Sequence, residues 1–201
     1  MPLFLLIGTL AAQNISFKDM AVEMGLNFVH DHGGTDQKFY VETMGSGCAI
    51  LDYDDDGDLD IFLLQGAPLP GWKKKTTLRN QLFRNDGDQF TDVTGESGLG
   101  DTSYGIGCAA ADYDNDGDTD LYVTNFGPDI LYRNEGDGTF ADASYAAGIS
   151  NPLWSASAAF FDAENDGWLD LFVSNYVEYS LEKNPWCGDQ RKDQRAYCDP
   201  D

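Results

Sequence analysis

The sequence predicts an all-β fold, and within that class a partial β-propeller of about two and a half four-stranded blades. Three observations lead there. An acidic nine-residue loop occurs three times in one register, starting at Asp52, Asp112 and Asp162. Each loop runs into a short apolar stretch, Ile61-Phe62-Leu63-Leu64, Leu121-Tyr122-Val123 and Leu171-Phe172-Val173, that reads as strand. The stretches entering the loops carry small residues: Gly45, Gly47, Cys48 and Ala49; Gly105, Gly107, Cys108, Ala109 and Ala110; Ala156, Ala158 and Ala159. Small side chains suit strands crowded about an axis. The strands that follow are apolar on both faces, as stacked sheets require, whereas a sandwich would more often alternate apolar and polar residues.

The loops carry the chemistry. Carboxylates stand at relative positions 1, 3, 5 and 9: Asp52, Asp54, Asp56 and Asp60; Asp112, Asp114, Asp116 and Asp120; Asp162, Glu164, Asp166 and Asp170. Position 6 is Gly57, Gly117 or Gly167, which lets the chain turn back sharply. Alternate oxygen donors around a tight turn are what Ca2+ takes, with about 6–8 oxygens in its shell. Position 7 is Asp58, Asp118 or Trp168. A tryptophan there fits only if that position gives its main-chain carbonyl. The expectation is about three structural Ca2+ sites on β-hairpins. EF-hands are excluded, because position 12 is Leu63, Val123 or Val173 where a bidentate Glu would be needed. The plain alternative is an Asp/Gly turn that binds nothing, which three copies in one register make hard to sustain.

Taken in order, residues 1–12 resemble the remnant of a secretory signal, apolar and ending in small residues; the competing reading is a buried first strand. The rest, 13–201, is expected to be the propeller portion. A second repeat runs from Phe to Gly: Phe17 to Gly25, Phe90 to Gly98, Phe140 to Gly148. Before two of these stand Leu82-Phe83-Arg84-Asn85-Asp86-Gly87 and Leu131-Tyr132-Arg133-Asn134-Glu135-Gly136, strands entering tight turns. The units are therefore 45–100, 101–150 and an incomplete 151–201, with 17–26 as the outer strand of a closing blade. Residues Gln65 to Asn80 form an insert in the first unit. The third unit lacks its Arg-Asn-x-Gly turn, so the sequence reads as a piece of a longer protein whose open blade edges allow self-assembly.

The chain has 35 acidic against 12 basic residues, a net charge of −23 that makes nucleic acid an improbable partner. Four carboxylates per loop repel one another, so ion binding should couple to folding. No stretch is apolar and long enough for a transmembrane segment. Cys48 and Cys108 occupy equivalent places among small residues and read as buried thiols. Cys187 and Cys198 are expected to pair in an exported protein. His30 and His32 could share one face of an extended stretch, but no further Cys or His stands near them.

The loops, the Leu-Tyr-Arg-Asn turn and the Phe-x-Asp tails together resemble FG-GAP/VCBS repeat proteins. More narrowly, Trp154-Ser155-Ala156-Ser157 through Ser174-Asn175-Tyr176-Val177 is similar to the ASPIC/UnbV (cartilage acidic protein-like) group. The resemblance implies an integrin-α-like propeller with Ca2+ on its hairpins, located outside the cell, at its surface or in the periplasm. It implies a binding or adhesion scaffold for protein or glycan. Glu164 departs from the usual Asp. The competing readings are a Ca2+-assisted hydrolase or lyase acting on polysaccharide or phosphoester, and a subunit of an extracellular filament. No catalytic residues are assigned, since Gly-x-Ser-x-Gly is missing and the metal loops account for every close carboxylate cluster.

Overall fold

The computed structural model of the chain describes residues 16–198; the signal-like segment 1–12 lies outside the described residues. The strands are β1 (Cys48–Leu51), β2 (Asp60–Leu63), β3 (Gln81–Asn85) and β4 (Phe90–Asp92), then β5 (Gly105–Ala111), β6 (Asp120–Asn125), β7 (Ile130–Asn134) and β8 (Phe140–Asp142). They make two antiparallel sheets, each in simple sequence order. β9 (Ser155–Phe161) and β10 (Asp170–Asn175) pair as a third sheet, and β11 (Cys187–Asp189) and β12 (Gln194–Ala196) as a small hairpin. The fold is all-β, with no closed barrel among the described residues.

Neighbouring sheets stack through their first strands, and side-chain size explains why. The Gly47 N–H donates to the Ile106 carbonyl at 2.8 Å. A Cβ on Gly107 would lie 3.0 Å from the Ala156 carbonyl oxygen. Only glycine and alanine allow backbones this close. Outward from that seam lies the main core. Ala49, Leu51, Phe62, Leu64 and Leu82 from the first sheet meet Leu121, Val123 and Tyr132 from the second. β6 is buried along its whole length, because sheets cover both of its faces.

Strand alternation corrects one expectation. Cys48, read as buried, is exposed, while Cys108 is half-buried. Ala49 pairs with Phe62 and points into the core, so Cys48 and Ile50 turn to the opposite face of the first sheet. Cys108 lies on the side of its sheet that meets the core, and burial pushes its thiol up to about 12. A second expectation fails at 17–26, which form no strand. Phe17–Asp19 stand where β4 and β8 stand in the other units but pair with no strand among the described residues. The turn that follows repeats theirs: Met24 N–H donates to the Met20 carbonyl (2.8 Å), as Ser97 N–H does to Val93 and Ala147 N–H to Ala143 (both 2.9 Å). The segment still meets β4, where Phe90 N–H donates to the Met24 carbonyl at 2.7 Å.

At the end of the sheets away from the acidic loops, a 3-10 turn at Tyr40–Thr43 packs with Tyr104, Ile106 and Trp154 in a second core. It is held by residues far along the chain. The Tyr40 backbone N–H donates to Tyr179 Oη at 3.1 Å. Asn184 Nδ2 donates to the Gln37 carbonyl (2.9 Å), Arg195 Nη1 to Gln37 Oε1 (2.8 Å) and Tyr197 Oη to Glu42 Oε2 (3.0 Å). The β11–β12 hairpin carrying Arg195 is closed by the Cys187–Cys198 disulfide, as the sequence led us to expect.

Candidate metal centre

Each acidic loop joins the first two strands of its sheet, and the three loops repeat one hydrogen-bond pattern. Position 1 accepts from the position-6 amide: Gly57 N–H to Asp52, Gly117 N–H to Asp112 and Gly167 N–H to Asp162, at 3.0, 3.0 and 2.9 Å. Position 5 accepts from position 7: Asp58 N–H to Asp56, Asp118 N–H to Asp116 and Trp168 N–H to Asp166, at 2.9, 3.0 and 2.9 Å. Glycine at position 6 is required, since φ there is 93°, 103° and 90°. Position 4 is also left-handed, at Asp55, Asn115 and Asn165 (φ 59°, 59° and 57°). Asp and Asn tolerate that region better than most residues. Sequence reasoning overlooked this restriction, although Asp-Asn-Asn at one position was its signal.

Position 9 does more than offer a ligand. Asp60 accepts Tyr53 N–H (3.0 Å) on one oxygen and Asn85 N–H (2.7 Å) on the other. Asp120 does the same with Tyr113 and Asn134, at 3.0 and 2.8 Å. Each of these buried carboxylates ties the base of its loop to the turn after the third strand of its sheet. Asp170 accepts Ala163 N–H at 3.0 Å. Neighbouring loops are also linked. Asn134 Nδ2 donates to the Tyr53 carbonyl (2.9 Å) in the first loop, and Asn115 Nδ2 to the Gly167 carbonyl (3.0 Å) in the third.

Carboxylate oxygens converge in two of the loops. Asp52, Asp54 and Asp60 bring ligand atoms within 4.8 Å of one another, as do Asp112, Asp114 and Asp116. Asp52 Oδ1, Asp54 Oδ1 and Asp114 Oδ1 are buried with no hydrogen-bond partner among the described residues. A buried, unpaired carboxylate oxygen is costly unless a cation or proton meets it. Charge crowding says the same. Burial, and then the neighbouring Asp56 or Asp116, raises the Asp54 and Asp114 carboxyls above the usual range. Burial lifts Asp120 to about 6. The donor set is all oxygen and therefore fits Ca2+.

The other expected ligands are placed less tightly. Asp56 and Asp58 are exposed on the first loop, and Asp118 is half-buried beside the turn at Gly136. In the third loop Glu164, Asp166 and Trp168 are exposed, with Asp162 and Asp170 half-covered. That loop keeps the hydrogen-bond pattern but forms no three-carboxylate cluster among the described residues. His30 Nε2 lies 2.9 Å from Ser46 Oγ, and neither His30 nor His32 joins a metal-type cluster among the described residues.

A family model described as an FG-GAP-like repeat matches residues 52–123 and again 112–173, together more than half of the chain. The chain belongs to the FG-GAP-like repeat family. Each match of the FG-GAP-like repeat opens on the first aspartate of one acidic loop and ends in the strand after the next. No curated protein matches the chain. Among the described residues, no helix is long and apolar enough to cross a membrane.

Proposed function

We propose that this FG-GAP-like repeat chain is a Ca2+-stabilised binding scaffold, a propeller portion that presents loops to a protein or glycan outside the cell. Within the family, the ASPIC/UnbV group is the narrower assignment we favour. What carries the reading is the set of orphaned carboxylate oxygens, Asp52 Oδ1, Asp54 Oδ1 and Asp114 Oδ1, inside loops of one register. Asp52, Asp54 and Asp60 would hold one ion and Asp112, Asp114 and Asp116 another, with a weaker third at Asp162, Glu164 and Asp166. Ca2+, when bound, supplies the positive charge that lets these carboxylates stand together ionised. We assign it a structural role, since the ion would answer the charge repulsion inside hairpins that join the first two strands of each sheet. The Cys187–Cys198 disulfide supports an oxidising compartment.

The test is a thermal melt in EDTA and again with Ca2+ restored. The expected result is a higher melting temperature with Ca2+, reversed by chelator and matched by a titratable heat of binding. Identical melts under both conditions would remove the basis for the reading.

A further inference from the structure

The first two acidic loops are joined by an unbroken run of hydrogen bonds with Asn134 at its centre. In the second loop, Tyr113 N–H, between Asp112 and Asp114, donates to one oxygen of Asp120 at 3.0 Å. Asn134 N–H donates to the other oxygen at 2.8 Å, and Asn134 Nδ2 donates to the Tyr53 carbonyl at 2.9 Å. Tyr53 lies between Asp52 and Asp54 of the first loop, and its own N–H donates to Asp60 at 3.0 Å. Its ring rests on the second sheet, 6.4 Å from that of Phe140. Asn134 is 1% exposed and Tyr53 6%, so the link runs through the interior. Asn85 holds the same place in the first sheet and makes the same local bonds, to Asp60, to the Leu59 carbonyl and from Gly87, as Asn134 makes to Asp120, to Thr119 and from Gly136. Only Asn134 goes on to a second loop among the described residues.

Crowded carboxylates push an ion-free loop open, and an ion lets it close. Closing the second loop fixes Asp120, and with it Asn134 and the peptide that joins Tyr53 to Asp54. A first loop already held in this way loses less conformational freedom when its own ion arrives. Charge works in the opposite direction, because an ion in one loop weakens the negative field that draws the next. Between exposed carboxylates that field is screened over about 8 Å at physiological salt, whereas the bonds of buried Asn134 are not. We propose that the first and second loops bind Ca2+ cooperatively, with Asn134 as the positioning residue that couples them. This describes how the proposed metal sites are regulated and rests on that reading.

The experiment is a Ca2+ titration of the full chain read by amide-resolved NMR. Gly57 and Gly117 N–H each donate to the first aspartate of their own loop, so their signals report the two sites separately. Asp114→Ala removes a ligand whose Oδ1 is otherwise unpartnered and leaves the Gly117 bond in place. With the second loop weakened in this way, the Gly57 midpoint should move to about tenfold higher Ca2+. Asp54→Ala should move the Gly117 midpoint by the same factor, because coupling is reciprocal; this arm stays decisive where a variant at Asn134 fails to fold. In an Asn134→Ala background the tenfold factor should collapse, whereas Asn85→Ala should leave it intact. Raising the salt should preserve the factor, since bonds and not screened charge carry it. Independent midpoints would overturn the proposal, as would a factor that survives Asn134→Ala or disappears at high salt. Signals that respond to Ca2+ with independent midpoints sink the coupling alone, and signals that ignore Ca2+ sink the metal reading itself.

Discussion

Asp114→Asn should change sign with the solvent. Asp114 shares its cluster with Asp112 and Asp116, and its Oδ1 is buried without a partner. The amide keeps the shape and removes the charge. At free Ca2+ a hundred times the dissociation constant of the site, binding stabilises the fold by about 2.7 kcal/mol. Losing that much should lower the melting temperature of a chain this size by roughly 5–11 °C. In EDTA the effect should reverse. Burial and Asp116 already hold the Asp114 carboxyl above the usual range, so its charge is a cost there, and asparagine should melt at the same temperature or slightly higher. Differential scanning calorimetry of both proteins in both buffers reads the difference directly. An equal loss with and without Ca2+ would mean that Asp114 serves the loop as a structural side chain, and the cation argument would fail.

Three further outcomes can be checked. With metal removed, stability should fall as pH rises from the ordinary carboxylate range through about 6, because folding raises the Asp120 carboxyl to about 6 and its proton stabilises the native state only below that; chemical denaturation in EDTA from pH 4 to 7 reads it, and a rise across that range would contradict it. Gly107→Ala would put a Cβ 3.0 Å from the Ala156 carbonyl oxygen and 3.1 Å from Thr124 Oγ1, so the seam between β5 and β9 should lose about 1–3 kcal/mol, read as a lower urea midpoint with the Ca2+ shift retained. Replacing Cys187 and Cys198 by serine frees a hairpin closed over a separation of 11 residues and should cost it about 2–3 kcal/mol, seen as faster amide exchange across 187–198 while the Ca2+ dependence of the main melt is unchanged.

Most of the architecture was legible because the loops repeat. Gly57, Gly117 and Gly167 fix the turn, and the small residues at Gly47, Gly107 and Ala156 foretell close first strands. What escaped depended on geometry that a linear pattern does not carry. The exposure of Cys48 follows from which neighbour in β1 faces the core, and one residue of register decides that. The segment 17–26 shares the Phe-to-Gly spacing of 90–98 and 140–148 and repeats their turn, but Phe17–Asp19 lack the neighbour that β3 and β7 give Phe90–Asp92 and Phe140–Asp142. The spacing counts residues and does not supply a partner strand. Glu164 is one methylene longer than aspartate and exposed, and the third loop is the one without a carboxylate cluster among the described residues. The second duty of Asp60 and Asp120, holding Asn85 and Asn134, could have been read from the Arg-Asn turns that recur after the loops.

The bonds from Gln37 to Arg195 and from Glu42 to Tyr197 join positions 158 and 155 residues apart. A chain emerging from the ribosome makes the 3-10 turn early but cannot give it those partners until nearly all of the described residues have been synthesised. Until then Phe39 and Tyr40 lack part of their final cover. Contacts this distant in sequence also slow folding, since a long loop must close before they form. This corner of the molecule is therefore where a nascent chain is most exposed to misassembly, and where a holding chaperone would gain the most by binding.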